Sequence, residues 1–361
     1  MAIRTGTMTD RERIEALIRR EKPDRVPLWP FGSAGYAAVN AGYTIADAFN
    51  NPGKALDSQR WCSEQYGWVC TPAISYASFG GWEFGGEIDW PTGEFDQAPK
   101  IIKHSVETED DVWNLGVPDH KTSGMVPFMT AFNKLSSQEQ LENEPFNVRL
   151  PGAGAAFTTA GNIAGVEKFL RWMIKKPDVA HHLLRLTTDY LITLGQDYKE
   201  TFGIGRVLAT GGDPSSSNQL ISPRHFEEFA LPYNREVNEK LLEMGYKHLY
   251  VHICGEQNRN LPFWAEVPMG DPGFISFGHE VEIETAAEYF PQDIIIGNIE
   301  PSIIQTGTPQ EVYEISREAI EKGKKCPGGF ALSPGCGLPP KAPPLNVWMM
   351  TKAVNDFGWY D

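Results

Sequence analysis

Residues 222–255 read SPRHFEEFALPYNREVNEKLLEMGYKHLYVHICG, and this stretch combines a helix with a strand. Ser222 can cap the helix, Pro223 suits its first position, and Gly245 is typical of a helix end. Between them, apolar residues recur at spacings of three and four, at positions 226, 229, 233, 237 and 241. The following run, 248–253, has the length and apolar character of a buried strand. The stretch therefore predicts one helix–strand unit of a parallel sheet.

The same alternation continues through the second half of the chain. Further apolar runs of strand length lie at 206–210, 273–277, 293–296 and 329–332. The residues Thr308 to Glu311 predict a capping box that begins another helix, which ends at Gly323. Strands that alternate with helices form parallel sheets with right-handed crossovers. In a chain of 361 residues this pattern favours an α/β fold, a (β/α)8 barrel of the TIM type, over an open sheet. We expect one domain over residues 1–361, with its barrel units clearest over 150–361.

The first 120 residues have a different texture, rich in glycine, proline and aromatic residues. Apart from a polar helix near the N-terminus, this extension is expected to be irregular and to cover the pocket of the barrel. Its aromatic residues either line a substrate pocket or pack beneath a long loop. The residues assigned to substrate binding on this basis are Trp29, Phe31, Tyr36, Phe79 and Trp82.

The charge balance excludes several classes of protein. With 32 basic and 47 acidic residues, the chain has a formal net charge of −15. Nucleic acids and anionic membranes repel such a surface, so neither is an expected partner. No stretch of the sequence approaches 18 consecutive apolar residues, so no transmembrane helix is predicted. Five cysteines at irregular spacing do not suggest a disulfide framework, and a reducing cytoplasm is the expected compartment.

Polar or reactive residues follow each of the five predicted strands. In chain order these residues are Asp213, His252 with Cys254, His279, Asn298 with Glu300, and Cys336. In a TIM barrel, the carboxyl ends of all strands lie on one face, where active sites are built. The sequence therefore predicts that these distant residues meet in one site.

The pair His252 and Cys254 has the spacing of two metal ligands. Residues two apart on an extended segment point to the same side, and Cys336 supplies a second thiol. One nitrogen and two sulfurs suit zinc, and three protein ligands leave a fourth position open, as in catalytic sites. In the alternative interpretation, both cysteines are small buried residues and His252 is a hydrogen-bonded core histidine. The spacing alone leaves both interpretations open.

Several segments resemble the uroporphyrinogen decarboxylase superfamily, and within it the corrinoid-dependent methyltransferases of the methylcobalamin:coenzyme M type. Residues 251–255 (VHICG) with 335–337 (GCG) resemble the H-x-C-xn-C zinc signature of these methyltransferases. Other stretches similar to superfamily motifs are 152–160 (GAGAAFTTA), 165–170 (GVEKFL), 221–233 (ISPRHFEEFALPY) and 297–301 (GNIEP, with Glu in place of Asp). The resemblance covers most of residues 10–361 and is firm from residue 151.

The resemblance implies a TIM-type barrel that binds zinc through His252, Cys254 and Cys336. It also implies that a methyl group moves between a corrinoid, methylcobalamin, and a small molecule. That molecule is either a thiol acceptor or a methylated donor, and the aromatic N-terminal segment would suit a methoxyaromatic donor. The chain has no D-x-H-x-x-G sequence, so the corrinoid is expected on a partner protein.

The positions of the remaining residues at the strand ends suggest a role for each of them. Glu300 is expected to be a fourth zinc ligand or an acid–base group. Asp213 is expected to orient His252 or the substrate, although an ordinary Asp turn would also explain it. His279 and Asn298 are expected to line the substrate pocket.

Two alternatives from other classes stay open. The first is a decarboxylase of the uroporphyrinogen type, whose members carry arginines in a segment of the form P-x-W-x-M-R-Q-A-G-R-Y. Residues 26–36 (VPLWPFGSAGY) lack both arginines, which counts against a substrate with many carboxylates. The second alternative is a barrel that binds a corrinoid protein or a small ligand without turnover.

Overall fold

The computed structural model describes residues 6–74, 76–92, 98–139 and 141–360. The part before residue 140 contains short helices and one small hairpin. In chain order these elements are α1 (Asp10–Ile18), α2 (Ala34–Asn40), α3 (Ile45–Asn50), α4 (Pro52–Tyr66), β1 (Glu87–Asp89), β2 (Lys100–Lys103), α5 (Glu109–Asn114) and α6 (Val126–Glu139). Strands β1 and β2 pair antiparallel with each other.

The second part alternates strands and helices. Its strands are β3 (Val148–Pro151), β4 (Val207–Gly212), β5 (Leu249–Ile253), β6 (Phe274–Phe277), β7 (Ile294–Ile299) and β8 (Phe330–Pro334). Its helices are α7 (Ala156–Ala164), α8 (Val166–Lys175), α9 (Pro177–Phe202), α10 (Pro223–His225), α11 (Leu231–Glu243), α12 (Leu261–Trp264), α13 (Ile283–Tyr289), α14 (Pro301–Thr306), α15 (Pro309–Gly323) and α16 (Pro344–Phe357).

Strands β3 to β8 form one parallel sheet in sequential order, which is the arrangement of a TIM-type barrel. Two extended segments near the N-terminus continue from the β8 edge of this sheet. Leu28 pairs in parallel with Leu332 of β8, and the backbone N–H of Val69 donates to the carbonyl of Leu28 at 2.8 Å. The sequence-based prediction of an α/β barrel is therefore confirmed, with six regular strands among the described residues.

The core lies in two layers because successive strand residues point to opposite faces. Inward-facing side chains fill the barrel together with Trp29 and α1, namely Leu208, Tyr250, Phe274, Ile294, Ile296 and Ala331. Their outward-facing neighbours, such as Val251 and Ile275, pack against the surrounding helices. Both layers are nearly inaccessible to solvent, so the barrel interior is a packed core below its mouth.

The predicted helix at 222–245 is interrupted. Residues Phe226–Ala230 form one wider π turn between α10 and α11, in which the N–H of Leu231 donates to the carbonyl of Phe226. Pro232 explains the interruption, because proline has no N–H and its ring crowds the preceding turn. The predicted helix that begins at Thr308 is confirmed as α15, including its capping box with Glu311.

In the N-terminal part, α1 agrees with the predicted polar helix, whereas the expectation that the following segments are irregular was wrong. Helices α1 to α4 lie within its first 66 residues, and Thr9, Thr44 and Asn51 cap three of them through side-chain oxygens. Two of these helices have only six or seven residues, too few to show a helical repeat in the sequence. Packing on the barrel supplies the stability that such short helices lack alone. No helix in the described ranges is both long and apolar enough to span a bilayer.

Candidate metal centre

His252, Cys254 and Cys336 meet at the mouth of the barrel. His252 is the fourth residue of β5, Cys254 directly follows that strand, and Cys336 lies two residues after β8. One ligand atom from each residue lies within 4.8 Å of the others. The two sulfur atoms are 3.8 Å apart, and two sulfurs bound to one tetrahedral zinc would be separated by about 3.8 Å. The three side chains therefore fit a single zinc ion.

The imidazole of His252 has one nitrogen held and one nitrogen free. Its Nδ1 lies 2.9 Å from the hydroxyl of Ser276, its register neighbour on β6. Its Nε2 is buried and has no hydrogen-bond partner. Metal-bound histidines usually have their second nitrogen held in this way, because that bond fixes the orientation of the ring. An unpartnered buried nitrogen is costly unless a metal or another group fills the position.

The two half-buried thiols influence one another because their sulfur atoms are in hydrogen-bond contact. Their hydrogen bond holds the pKa of Cys336 well below that of an ordinary thiol, against the opposing effect of burial. The same bond, together with burial and the charge of Glu280, raises the pKa of Cys254. The pair therefore favours one thiolate and one thiol, and a metal cation would favour the loss of the second proton.

A group of polar side chains lies beside the mouth, on the loops after β6 and β7. His279 lies between two carboxylates, with Nδ1 3.5 Å from Glu280 Oε2 and Nε2 4.0 Å from Glu300 Oε2. Glu300 also accepts a hydrogen bond from the hydroxyl of Ser302. His279 and Glu300 are partly exposed to solvent. The amide of Asn298 donates to the backbone carbonyls of Gly278 and Val281, and it thereby holds the loop that carries His279.

The assignment of Asp213 as a catalytic group needs correction. Its carboxylate is fully buried and accepts hydrogen bonds from the backbone N–H and hydroxyl of Thr158 and from the amide of Asn234. Burial raises its pKa to about 6, and these hydrogen bonds oppose the rise. Its backbone N–H donates to the carbonyl of His252 at 3.2 Å. Asp213 thus joins α7 and α11 to the ends of β4 and β5 without access to a substrate.

The structure also corrects most of the aromatic assignments. Trp29 lies inside the barrel against Tyr250 and Phe274, and Tyr36 is enclosed by Tyr66 and Trp68. Phe79 packs on Tyr76 and Tyr190 in the core. These three side chains are buried by protein and cannot reach a substrate. Their sequence context did not distinguish core packing from a pocket lining.

Two aromatic side chains remain accessible. Phe31 is half-buried and stacks on His252, with ring centroids 4.4 Å apart and an interplanar angle of 23°. It therefore covers one side of the candidate metal centre. Trp82 lies elsewhere, in a cavity of about 440 Å³ between α3 and the start of α6 that also contains Trp90.

Four further residues near the site were not identified from the sequence. Three of them lie on strands, namely Ser276, Tyr250 and Arg149, and Glu280 lies three residues after the end of β6. Ser276 and Tyr250 bring hydroxyl groups to inward positions of mostly apolar strands. An assignment of the strand register from the sequence would have identified both as inward-facing polar residues. Arg149 belongs to β3, which was not predicted because its sequence, VRLP, combines a charge with a proline.

Comparisons with known proteins agree with this architecture. The family model described as uroporphyrinogen decarboxylase (URO-D) matches residues 9–357. A methylcobamide:CoM methyltransferase, MtbA of Methanosarcina acetivorans, is 26% identical over 269 residues, which cover 73% of this chain and 74% of that protein. A methylated-thiol–coenzyme M methyltransferase of Methanosarcina mazei is 29% identical over 278 residues, which cover 75% and 68% respectively.

A solved structure also shares the fold. It is a methyltransferase from Methanosarcina mazei with a TM-score of 0.81 and 21% sequence identity. The alignment covers 97% of this chain and 99% of that one.

Proposed function

Because the chain belongs to the uroporphyrinogen decarboxylase (URO-D) family, we propose that it is a methyltransferase of that family. In this proposal a single barrel domain, acting in the cytoplasm, transfers a methyl group between a corrinoid on a partner protein and a small molecule. The small molecule is a thiol acceptor or a methylated donor. The observation that carries the proposal is the cluster of His252, Cys254 and Cys336 at the mouth of the barrel. The relatives with methyltransferase names support the same reaction class.

The residues of the cluster would hold a zinc ion through one nitrogen and two sulfurs. When bound, zinc lowers the pKa of a thiol ligand towards neutrality or polarises the heteroatom of a methylated donor. Ser276 keeps the His252 ring in the orientation that leaves Nε2 free. Phe31 covers the same ring and limits the access of water from that side.

The chain also offers groups that can handle a proton beside the cluster. A thiol acceptor must lose its proton before its sulfur attacks a methyl carbon. His279, between Glu280 and Glu300, can receive that proton and pass it to solvent, because His279 and Glu300 are partly exposed. We therefore assign His279 and Glu300 to proton transfer. Asn298 is assigned to positioning their loops.

The first experiment compares metal content in the wild type and in two cysteine variants. We expect about one zinc per chain in the wild type, loss of that zinc in Cys336→Ser, and retention in Cys326→Ser, whose thiol is buried away from the cluster. Plasma mass spectrometry of protein purified without chelators measures this. A wild type that neither contains zinc nor takes it up on addition would rule out the metal centre.

The second experiment tests the reaction class. Wild type loaded with zinc is incubated with methylcobalamin and a thiol, or with reduced cobalamin and a methoxyarene, and loss or gain of the cobalt–carbon bond is followed by absorbance. We expect turnover in one of the two directions and its loss in Cys336→Ser. Full activity in that variant would overturn the zinc mechanism. Release of carbon dioxide from uroporphyrinogen without methyl transfer would instead identify a decarboxylase.

A further inference from the structure

Cys254 and Cys336 form a close pair of thiols, with their sulfur atoms 3.8 Å apart. The other cysteines lie in different surroundings. Cys62 and Cys326 are buried, and the thiol of Cys70 contacts a carboxylate. In the part of the chain that the structure describes, no other two cysteines have sulfur atoms in contact. An oxidation that joins two thiols of one folded chain is therefore restricted to this pair.

The geometry of the pair allows a covalent bond between the two sulfurs. A disulfide has sulfur atoms about 2.0 Å apart, so the two atoms must approach each other by on the order of 2 Å. Rotation about the Cα–Cβ bond of each cysteine supplies part of this movement. Neither residue belongs to a strand, because Cys254 follows β5 and Cys336 lies two residues after β8. The bond can therefore form without a change in the sheet.

Glycines next to both cysteines allow the backbone to adjust as well. Gly255 follows Cys254 and has a φ of 78°, a conformation that residues with a side chain rarely adopt. Gly337 follows Cys336, and a Cβ added there would meet only the carbonyl oxygen of Gly32, at 3.7 Å. The loop that carries Cys336 is therefore loosely packed on this side, and it has room for a small shift of the thiol.

The pair is also accessible to a small oxidant. Both cysteines are half-buried, and they lie at the mouth of the barrel. Hydrogen peroxide is small and uncharged, so the net charge of −15 does not repel it as it would repel an anionic oxidant. Disulfides that form in a reducing compartment are usually transient, and they act in catalysis or in redox sensing. These features favour peroxide as the reactant and a reversible bond as the product.

We propose that Cys254 and Cys336 are a site of reversible oxidation, at which hydrogen peroxide converts the two thiols into a disulfide. In the first step, one thiol sulfur attacks a peroxide oxygen, the O–O bond breaks, and a sulfenic acid and one water are formed. In the second step, the other thiol attacks the sulfenic sulfur and releases a second water. The two thiols lose two electrons, which the peroxide takes up, and a dithiol reverses the oxidation by exchange.

The disulfide and a bound metal exclude one another because both need the same two sulfurs. In the reduced protein, the cluster offers these sulfurs together with a nitrogen of His252. In the oxidised protein, His252 is the only ligand of the cluster that remains, and one imidazole does not supply the coordination of a zinc site. Peroxide therefore empties the metal centre. This competition rests on the metal centre in the function proposed above, whereas formation of the disulfide does not.

The first test counts thiols in protein from which metal has been removed by a chelator. Reduced wild type is treated with hydrogen peroxide, and the remaining thiols are alkylated in denaturant and counted by mass spectrometry. Of the five thiols, we expect two to be lost and to return after treatment with dithiothreitol. Peptide mapping should join the segments that contain Cys254 and Cys336, in wild type and in the control Cys326→Ser. Absence of this cross-link from wild type would overturn the proposal.

Two further variants separate a disulfide from the oxidation of single thiols. Cys254→Ser and Cys336→Ser each leave one thiol of the pair without its partner. We expect no cross-link in either variant and a sulfenic acid on the remaining thiol, which labelling with dimedone detects. A cross-link that forms in both variants as fast as in wild type would show that other cysteines react, and it would refute the assignment.

The second test asks whether the disulfide and the metal exclude one another. Reduced and oxidised wild type are dialysed against zinc sulfate, and bound zinc is measured by plasma mass spectrometry. We expect about one zinc per chain in the reduced protein and a content about tenfold lower in the oxidised protein, restored by reduction and a second dialysis. Equal zinc in both forms would overturn the competition. No zinc in either form would refute the metal centre of the proposed function, and the first test alone then decides on the disulfide.

Discussion

At the scale of single residues, Ser276 tests whether the orientation of His252 matters for metal binding. Its hydroxyl is the described partner of Nδ1, at 2.9 Å. We expect Ser276→Ala to weaken zinc binding about 10- to 100-fold, because loss of the group behind a histidine ligand typically has that effect. Competition with a chromogenic chelator measures the affinity. Ser137→Ala on α6, which removes a hydroxyl bonded only to the carbonyl of Lys134, is the matched control. Equal zinc affinities of wild type, Ser276→Ala and Ser137→Ala would show that Ser276 does not support metal binding.

Replacement of the buried Arg149 and of the buried Arg60 should change the stability of the protein in opposite directions. Arg149→Met should raise the free energy of unfolding by on the order of 1–3 kcal/mol, since it removes a buried cation whose Nε and Nη1 have no described hydrogen-bond partner. Arg60→Met should lower it by about 3–5 kcal/mol, because it leaves the buried carboxylate of Glu144 without its partner. Urea denaturation measures both. Destabilisation by Arg149→Met of the same size as by Arg60→Met would show that the contacts of Arg149 with Thr71, Trp29 and Tyr250 stabilise the fold.

At the scale of elements, Glu83 joins the glycine-rich segment 80–86 to the start of α6. Its carboxylate is buried and accepts backbone N–H groups from Gly80 at 2.7 Å and Met125 at 2.9 Å. Burial raises its pKa to about 7 from an ordinary value of 4.5, against the effect of these hydrogen bonds. The folded protein therefore binds this proton more strongly than the unfolded chain does. The resulting stabilisation is complete below pH 4.5 and is lost as the pH rises through 7.

The raised pKa of Glu83 predicts a measurable pH dependence of the free energy of unfolding. Between pH 5 and pH 7.5, the free energy of unfolding of wild type should fall relative to Glu83→Gln, by up to about 3 kcal/mol. Urea titrations at several pH values, with the exposed Glu167→Gln as control, measure the difference. A constant difference across this range would mean that Glu83 keeps an ordinary pKa.

The elements also show what the sequence could predict. Strands β4 to β8 were predictable because each is a short buried run, bounded by turn residues and followed by a polar group. Strand β3 was not predictable, because its arginine and proline interrupt the apolar pattern that indicates a buried strand. The meeting of His252, Cys254 and Cys336 follows from barrel topology, since all three lie at or beyond carboxyl ends of strands.

Residue roles were less predictable, because they depend on partners that are distant in the sequence. Asp213 looked reactive, yet its carboxylate is bonded by Thr158, which is 55 residues away. Trp29 and Tyr36 lie in an aromatic segment that would also suit the lining of a pocket. Only the fold shows that other aromatic rings enclose them. Only the structure shows that Nε and Nη1 of Arg149 are buried without a hydrogen-bond partner among the described residues.

At the scale of the whole molecule, zinc would connect strands that are distant in the sheet. Cys254 follows β5 and Cys336 follows β8, with β6 and β7 between them. A metal that binds only the folded state stabilises it, by about 3 kcal/mol at a free concentration 100 times its Kd. We therefore expect chelation to lower the melting temperature of the zinc-loaded wild type by several degrees, as measured by calorimetry. Cys336→Ser should show no response, and an unchanged wild type would argue against a structural contribution of the metal.

The pairing of Leu28 with Leu332 has a consequence for biosynthesis. The two residues are 304 positions apart in the sequence, so a ribosome translates nearly all of the barrel before the N-terminal segment finds its partner. Cys336 emerges only a few residues later, after β8. A nascent chain therefore carries His252 and Cys254 without Cys336 while the 82 residues from Cys254 to Cys336 are added. Binding of a metal ion by all three residues would therefore be a late event that follows closure of the barrel.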